Sequence, residues 1–546
     1  AVFHDYSVEF DAGMQIANIN VSTAFEADKT YKVGVTEFTD NDGSIVKAAE
    51  SQFTAMPAIA LEGIEVANNS NWIPVSSSDV DITGKIRAVF SQPVEPSAVR
   101  LLNKNGDEIT DPIITNKTSE KNKIIAFDYD GFYPMTNYSI AVSYTDAVTG
   151  QSVENSTVSF ITSVPDHLVL ADTTQPNSED NPYLIYCAAA LDQIREDEYL
   201  AQNYYFKQMA DIDLNPEVYN TSANNTQDNG WKPFGRYDMD VGDYVGFIGH
   251  YDGNGMTVSN MKAHNLEDDT ELMSLFGAII SGSVSNLTVE NVDINGIMEV
   301  GAIAGYTENT SIDNCHSSGD IICQMELCGG LVGDVVMSVI TNSDSSVNIE
   351  CKSIDNPEHC CAGGLIGKAF YSSCIISCHA TGNITGYKST GGLIGYMESE
   401  SRVSGCYTSN NSIEGSTNVG GLVGYMELDT MLDNCQSKNI NLKASGPNAG
   451  GIAGECAGNL GFCHSSGHIE GQENVGGIIG DNNGYIGECY SNCEITGTDG
   501  VGGIIGSQND FGYYDIDTLT FEGNVTGTNP SHTNEIVGYT YEPEPI

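Results

Sequence analysis

The chain has 546 residues, of which 74 are acidic and only 21 are Lys or Arg, a formal net charge of −53. Such a surface repels phosphate backbones and anionic headgroups, which argues against nucleic acid and acidic membranes as partners. Hydrophobic residues make up 40% and aromatic residues run from end to end, so the chain is folded, and no stretch of 18 apolar residues spans a bilayer.

The first residues, AVFHDYSVEF, have neither the basic start nor the apolar run of a secretion signal. Residues 58–165 read as short alternating runs, including KIRAVF, KIIAFDYD, YSIAVSY and STVSFI, divided by NG, DP, DG and TG turns. Runs of this length and spacing predict a β-sandwich. Residues 25–54 repeat its second half, with Tyr31 matching Tyr138 and Asp42-Gly43 matching Thr149-Gly150. Too few residues precede that match for the opening strands, so residues 1–57 are expected to be the tail of a partial module. A strand from another chain is the alternative way to close its open edge. The segments SQPVEPSAV, LLNKNGDEI and FYPMTNYSIAVSYTDAVTGQSVENSTVSFIT resemble the Ig-like modules found in tandem on prokaryotic surface proteins.

A linker over 166–182, with the polar joint DTTQPNSEDNP at 172–182, leads to a different pattern at 183–540. In its lead-in region, 183–300, residues 187–201 place Ala190, Leu191, Ile194 and Leu200 near helical spacing. That predicts a short helix capping the open end of a stacked solenoid.

The repeats fill 301–540. The phrases GAIAG, GGLVG, GGLIG, GGLIG, GGLVG, GGIAG, GGIIG and GGIIG have their second residues at Ala302, Gly330, Gly364, Gly392, Gly421, Gly451, Gly477 and Gly503. The steps are 28, 34, 28, 29, 30, 26 and 26 residues, a period that marks a repeat architecture. Between them recur a cysteine-containing run, such as DNCHSSG, and a β-branched run, such as NITG. Three short strands per coil, separated by Gly, Asn and Ser turns, predict a parallel β-helix. The expected fold is all-β: Ig-like sandwich modules, then a right-handed parallel β-helix with a short N-terminal capping helix.

In such a coil equivalent residues stack about 4.8 Å apart. Cys315, Cys378, Cys406, Cys435, Cys463 and Cys489 then form one ladder, broken by Ser343. A metal or redox chain is one reading; a buried column of small apolar side chains is favoured, because single residues in line give no paired tetrahedral ligand set. His316, His379 and His464 follow ladder cysteines and should face outward. Cys323 and Cys351 take the Gly position of neighbouring coils, which suggests a disulfide between them, and Cys328, Cys360 and Cys361 are candidates for a second. Fifteen cysteines leave at least one unpaired. Calcium at Asp238, Asp240 and Asp243 is a minor alternative to a site without cofactor, since no D-x-D-x-D-G loop occurs. Twelve sequons, at Asn20, Asn68, Asn116, Asn137, Asn155, Asn220, Asn224, Asn286, Asn309, Asn383, Asn410 and Asn524, suit a secreted glycoprotein.

The phrases GGLVGYM with DNCQSKN, GGLIGK with SCHATGNITG, and the lead-in NPYLIY, MADIDL and YDGNGMTVSN resemble the GLUG repeat family over about residues 176–540. That resemblance implies a cell-surface, adhesin-like β-helix with no catalytic residues of its own. It also implies a link to immunoglobulin-A-cleaving metallopeptidases, but no His here is followed by Glu, so H-E-x-x-H is absent. No G-x-S-x-G elbow or Walker loop occurs either. The expected function is an extracellular, cell-surface rod, part of a larger protein, touching surface glycans, other cells or copies of itself. The alternative is a polysaccharide hydrolase or lyase built on the β-helix.

Overall fold

The computed structural model describes residues 165–540 apart from 222, 241, 265–271, 353–359, 410, 510 and 511; before residue 165 it describes the strands and a few flanking positions. Residues Ala1–Val164 and Pro165–Ile546 are separate compact units. In the first, Leu61–Asn68, Asn71–Pro74, Thr83–Phe90, Ile114–Glu120 and Ile124–Asp130 make a five-stranded antiparallel sheet. A three-stranded sheet comes from Val99–Leu102, Asn137–Thr145 and Ser152–Ile161. The alternate residues of both sheets, among them Ile64, Ile86, Phe90, Leu101, Ile125, Phe127, Ile140 and Phe160, share one core, as stacked amphipathic sheets require.

Tyr138 lies opposite Phe160 with ring centroids 5.9 Å apart. Upstream, Thr30–Val35 pairs with Ala49–Thr54 and sets Tyr31 opposite Phe53 at 5.8 Å, so the matched sequences form matched hairpins. They differ in burial. Phe160 is 1% exposed and Phe53 39%.

The second unit winds as a parallel β-helix with faces of 13, 18, 10 and 8 strands. One coil runs Ser311–Asp313, His316–Cys323, Leu327–Gly329 and Val332–Val336 across the 13-, 18-, 8- and 10-stranded faces. Val339–Thr341 then lies parallel to Ser311–Asp313 and starts the next coil. The sequence suggests three strands per coil and there are four, because the GG phrase is itself a corner joining two short strands. A side chain cannot be housed there: a Cβ on Gly330 would sit 2.2 Å from the Gly364 carbonyl oxygen, and one on Gly421 1.9 Å from that of Gly451. Just past each corner one aliphatic residue, Leu331, Leu365, Leu393, Leu422, Ile452, Ile478 or Ile504, is fully buried in a continuous core.

At the lead-in end the helical signal is broken in two, Ala188–Asp192 and Asp197–Leu200, because Glu196 adopts an extended backbone. Ala190, Leu191 and Ile194 still pack into the core shared with Phe206 and Phe247. Residues of the polar joint fold with this unit: the Asn181 amide donates to the carbonyls of Asp172, Gln175 and Pro176. No helix among the described residues is long and apolar enough to cross a membrane.

Candidate functional site

In a repeat protein the inward positions are committed to packing, so chemistry sits on the outward ones. Two such positions flank each GG corner, one two residues before the first glycine and the other seven residues later. They are Glu299 and Tyr306, Leu327 and Asp334, Cys361 and Lys368, Ser389 and Tyr396, Asn418 and Tyr425, Asn448 and Glu455, and Asn474 and Asp481. In-register pairing on the 10-stranded face stacks Tyr306, Asp334, Lys368, Tyr396, Tyr425, Glu455 and Asp481 in a row. Together the two rows make a polar and aromatic seam along one corner of the coil.

At its first end the seam is acidic and covered. An antiparallel hairpin, Arg236–Asp238 with Asp243–Val245, lays Tyr244 on Tyr306 with ring centroids 3.6 Å apart. The Tyr244 hydroxyl donates to Glu299 Oε1 at 2.7 Å. Glu299 is only 6% exposed, and its Oε2 has no hydrogen-bond partner; Asp334 Oδ1 is sealed from solvent in the same state. Burial, reinforced by the charge of Asp334, pushes Glu299 up to about 8. Burial lifts Asp334 to about 7 although Lys368 pulls the other way. Lys368 in turn pairs with Glu398 at 2.7 Å.

The middle and far end are satisfied. Tyr396 and Tyr425 stack with centroids 5.1 Å apart, and the Tyr396 hydroxyl donates to Glu427. Asn448 donates to Asn418 at 2.8 Å and to Glu455 at 3.3 Å, and Asn474 donates to Asn448 at 2.9 Å. These three asparagines hold positive φ of 55°, 69° and 55°, a conformation that Asn tolerates better than most residues. Asp481 accepts from Asn509 at 2.9 Å. None of these seam residues stands out in the sequence, where 74 acidic residues hide any pair. The seven-residue spacing across GG is the signal that would have found them; Tyr244 comes from a distant hairpin and has no such signal.

The ladder cysteines are all 2% exposed or less. Each thiol donates to the carbonyl two residues before it, as Cys378 does to Ile376 at 3.3 Å and Cys435 to Asp433 at 3.1 Å. Ser343 makes the same bond to Thr341 at 2.7 Å, so thiol and hydroxyl both close this turn. Burial pushes the Cys315 thiol up to about 12, where it is inert. Among the described residues no three His, Cys, Asp or Glu gather as a metal site. Asp238 accepts from the Asp240 backbone at 3.0 Å and Asp243 from Tyr244 at 2.8 Å, so both serve the hairpin. His316 and His379 both lie beside Asp344, and His464 is exposed.

The disulfide expectation needs correction. Cys323 and Cys351 are in-register neighbours, yet Cys351 bonds Cys360 and Cys323 is free. In-register parallel side chains run alongside each other, and the Cys323 thiol turns to the Met298 carbonyl at 3.0 Å. Cys360 lies within a Cα separation of 6.7 Å of Cys351. Cys328 and Cys361 also remain free.

Of the sequons, Asn116, Asn220, Asn309, Asn383 and Asn524 are exposed. Asn224 and Asn286 donate their amides to Asp192 and Asp252 at 3.1 and 2.9 Å, so those nitrogens are already engaged. The side chains of Asn20, Asn68, Asn137, Asn155 and Asn410 lie outside the described residues.

The GLUG motif matches residues 296–322, the coil that carries Glu299 and Tyr306. Halomucin of Haloquadratum walsbyi is 29% identical over 177 residues, 32% of this chain and 2% of its own. An immunoglobulin A1 protease of Streptococcus sanguinis is 28% identical over 30% of this chain and 9% of its own. A putative Gly-rich membrane protein of Evansella cellulosilytica is 33% identical over 25% of this chain and 14% of its own. The chain thus spans a small part of each relative. Among solved structures, a putative immunoglobulin A1 protease from Bacteroides ovatus aligns with 67% of this chain and 85% of its own, at 16% identity and a TM-score of 0.31. The recurring GG corner, the four-faced coil and the motif match together show a repetitive parallel β-helix that carries the GLUG motif.

Proposed function

We propose that the chain is an extracellular structural and adhesive rod, a segment of a larger surface protein whose outward rows contact glycans, other cells or copies of itself. The observation that carries this reading is the seam. It sets half-buried Tyr396 and Tyr425 side by side in neighbouring coils, with half-buried Asn474 further along the same corner, so it suits an elongated ligand lying along the corner. Stacked tyrosines offer flat apolar faces while amides and carboxylates offer donors and acceptors. Names such as halomucin among its relatives agree with an extracellular setting. The test is retention on a polysaccharide array with reducing ends assayed in the same wells. Retention without release supports the rod; release at an ordinary turnover of about 1 per second or faster contradicts it.

One observation favours a second reading, a carbohydrate-active enzyme. Glu299 and Asp334 are adjacent carboxyl groups with raised pKa values of about 8 and about 7, a condition seen at acid–base centres. Against it, Tyr244 covers Glu299. If this pair performs catalysis, Asp334→Asn abolishes reducing-end release; with no release to abolish, the enzyme reading ends.

A further inference from the structure

The first coils carry a second concave feature, away from the seam, on the 13-stranded face. Strands Tyr205–Gln208, His250–Asp252 and Ser283–Ser285 lie there in parallel register. Register sets two outward rows, Tyr205, His250 and Ser283 in one and Lys207, Asp252 and Ser285 in the other. The loop at 172–182 stands beside them. Its Asn177 clamps the Tyr205 backbone, accepting from the nitrogen at 2.8 Å and donating to the oxygen at 2.9 Å. With Glu179 and Pro182 on the loop side and Asn286 opposite, the rows floor a cleft of about 440 Å³.

Its chemistry narrows the ligand. Tyr205 and His250 form an aromatic patch with ring centroids 4.6 Å apart, and His250 Nδ1 lies 2.8 Å from Ser283 Oγ. Lys207 Nζ and Asp252 Oδ2 are 3.2 Å apart, their side chains 36% and 35% exposed. Asp252 is fixed from behind, since Asn254 and Asn286 both donate to its Oδ1 at 2.9 Å. Although burial opposes it, these hydrogen bonds and Lys207 hold the Asp252 carboxyl below the usual range, so it is an acceptor at neutral pH. An anion entering the cleft meets Asp252 and Glu179, and a cation meets Lys207. A neutral polyol meets a donor and an acceptor side by side, which match the two roles of adjacent hydroxyls.

We propose that this cleft is a binding subsite for a neutral oligosaccharide, with one sugar ring on Tyr205 and a pair of its hydroxyls bridging Lys207 and Asp252. The proposal rests on the glycan-contact reading above and adds a place and a charge class to it. Calorimetric titration of the full chain with neutral hexamers of glucose, mannose and N-acetylglucosamine, and with an acidic galacturonate hexamer, tests it. At least one neutral hexamer binds, and the acidic hexamer binds tenfold or more weakly than that one. Tyr205→Ala and Lys207→Gln each weaken the neutral hexamer tenfold or more; Lys207→Gln alters only a surface pair, so its effect at an unchanged melting temperature is not unfolding. Tyr425→Ala, in the seam, changes hexamer affinity less than twofold. If no neutral hexamer binds, if both cleft variants bind as the wild type does, or if only Tyr425→Ala loses affinity, the cleft proposal is overturned. Retention of the wild type on the polysaccharide array in any of these cases leaves the broader reading standing, whereas absence of all retention overturns both.

Discussion

The two ends of the seam share a backbone and differ in whether their polar groups are satisfied. Between Asn418 and Asp481 each amide or carboxylate finds a neighbour one coil away, so the row is a closed hydrogen-bond ladder. Between Glu299 and Asp334 two carboxyl oxygens are buried with no donor, beneath a tyrosine from a separate hairpin. Native structures leave few buried groups in that state, and those few call for an explanation. The contrast teaches that the coil specifies where outward residues stand but not what they do. The same seven-residue spacing serves a rigid polar spine at one end and a proton-holding pair at the other.

The sharpest way to break the comparison is to attack the shared corner. Gly330→Val in the acidic half and Gly421→Val in the asparagine half should each cost about 4 kcal/mol or more, since a Cβ meets backbone oxygen at 2.2 and 1.9 Å. Gly461→Ala, with nothing closer than 3.8 Å, should cost about 1 kcal/mol or less in denaturant titrations. A tolerated valine at one corner only would mean the halves do not share a scaffold.

The next effect is set by pH and is largest in the acidic half, although burial also raises Glu455 and Asp481 in the other. Glu299 and Asp334 have folded pKa values raised above their ordinary ones, so the folded state binds more protons than the unfolded chain between roughly pH 4 and 8. Their stabilising contribution is complete below that window and is lost as pH rises through 7 and 8. Glu299→Gln mimics the protonated acid, so it should match the wild type near pH 4 and exceed it by on the order of 5 kcal/mol at pH 9. A difference that stays flat with pH contradicts the raised pKa.

Three smaller effects follow. Cys360→Ala removes the staple on the acidic half and should cost about 2–3 kcal/mol, and an unreduced peptide map should link Cys351 to Cys360 while Cys323 alkylates after unfolding. Asn448→Ala opens the ladder of the other half and should cost about 1–2 kcal/mol near neutral pH. Cys406→Ser should be smallest, within about 1 kcal/mol, because Ser343 already makes the bond that a ladder cysteine makes. A loss of several kcal/mol there would give the thiol column a role beyond closing turns.

Much of the scaffold was legible because its physics repeats. Glycine at the corner is enforced by backbone contacts at 2.2 Å or less in coil after coil, so the phrase survives while its surroundings drift. The cysteine phase was legible for the same reason, and Ser343 could be placed in it without a structure. The fourth strand was not, because the GG phrase spans two faces and reads as one run. The disulfide failed on direction: register says who is adjacent, but the partner of Cys351 lies 9 residues on in the sequence, outside the register pattern. Glu299 was hidden because its importance comes from burial by Tyr244, a long-range contact with no local pattern. The cleft was hidden likewise, since the polar run at 172–182 reads as a joint and stands as a wall.

The central claim is that this β-helix holds glycans through its outward rows and does not cut them. Retention of the wild type and, in a Tyr205→Ala background that silences the cleft, of Tyr396→Ala/Tyr425→Ala on a polysaccharide array, with reducing ends counted in the same wells, tests it directly. The account predicts wild-type retention, a tenfold or greater loss in the double variant, and reducing ends no higher than those of a heat-denatured control. Retention unchanged by the double variant, or steady release of reducing ends by the wild type, would contradict it.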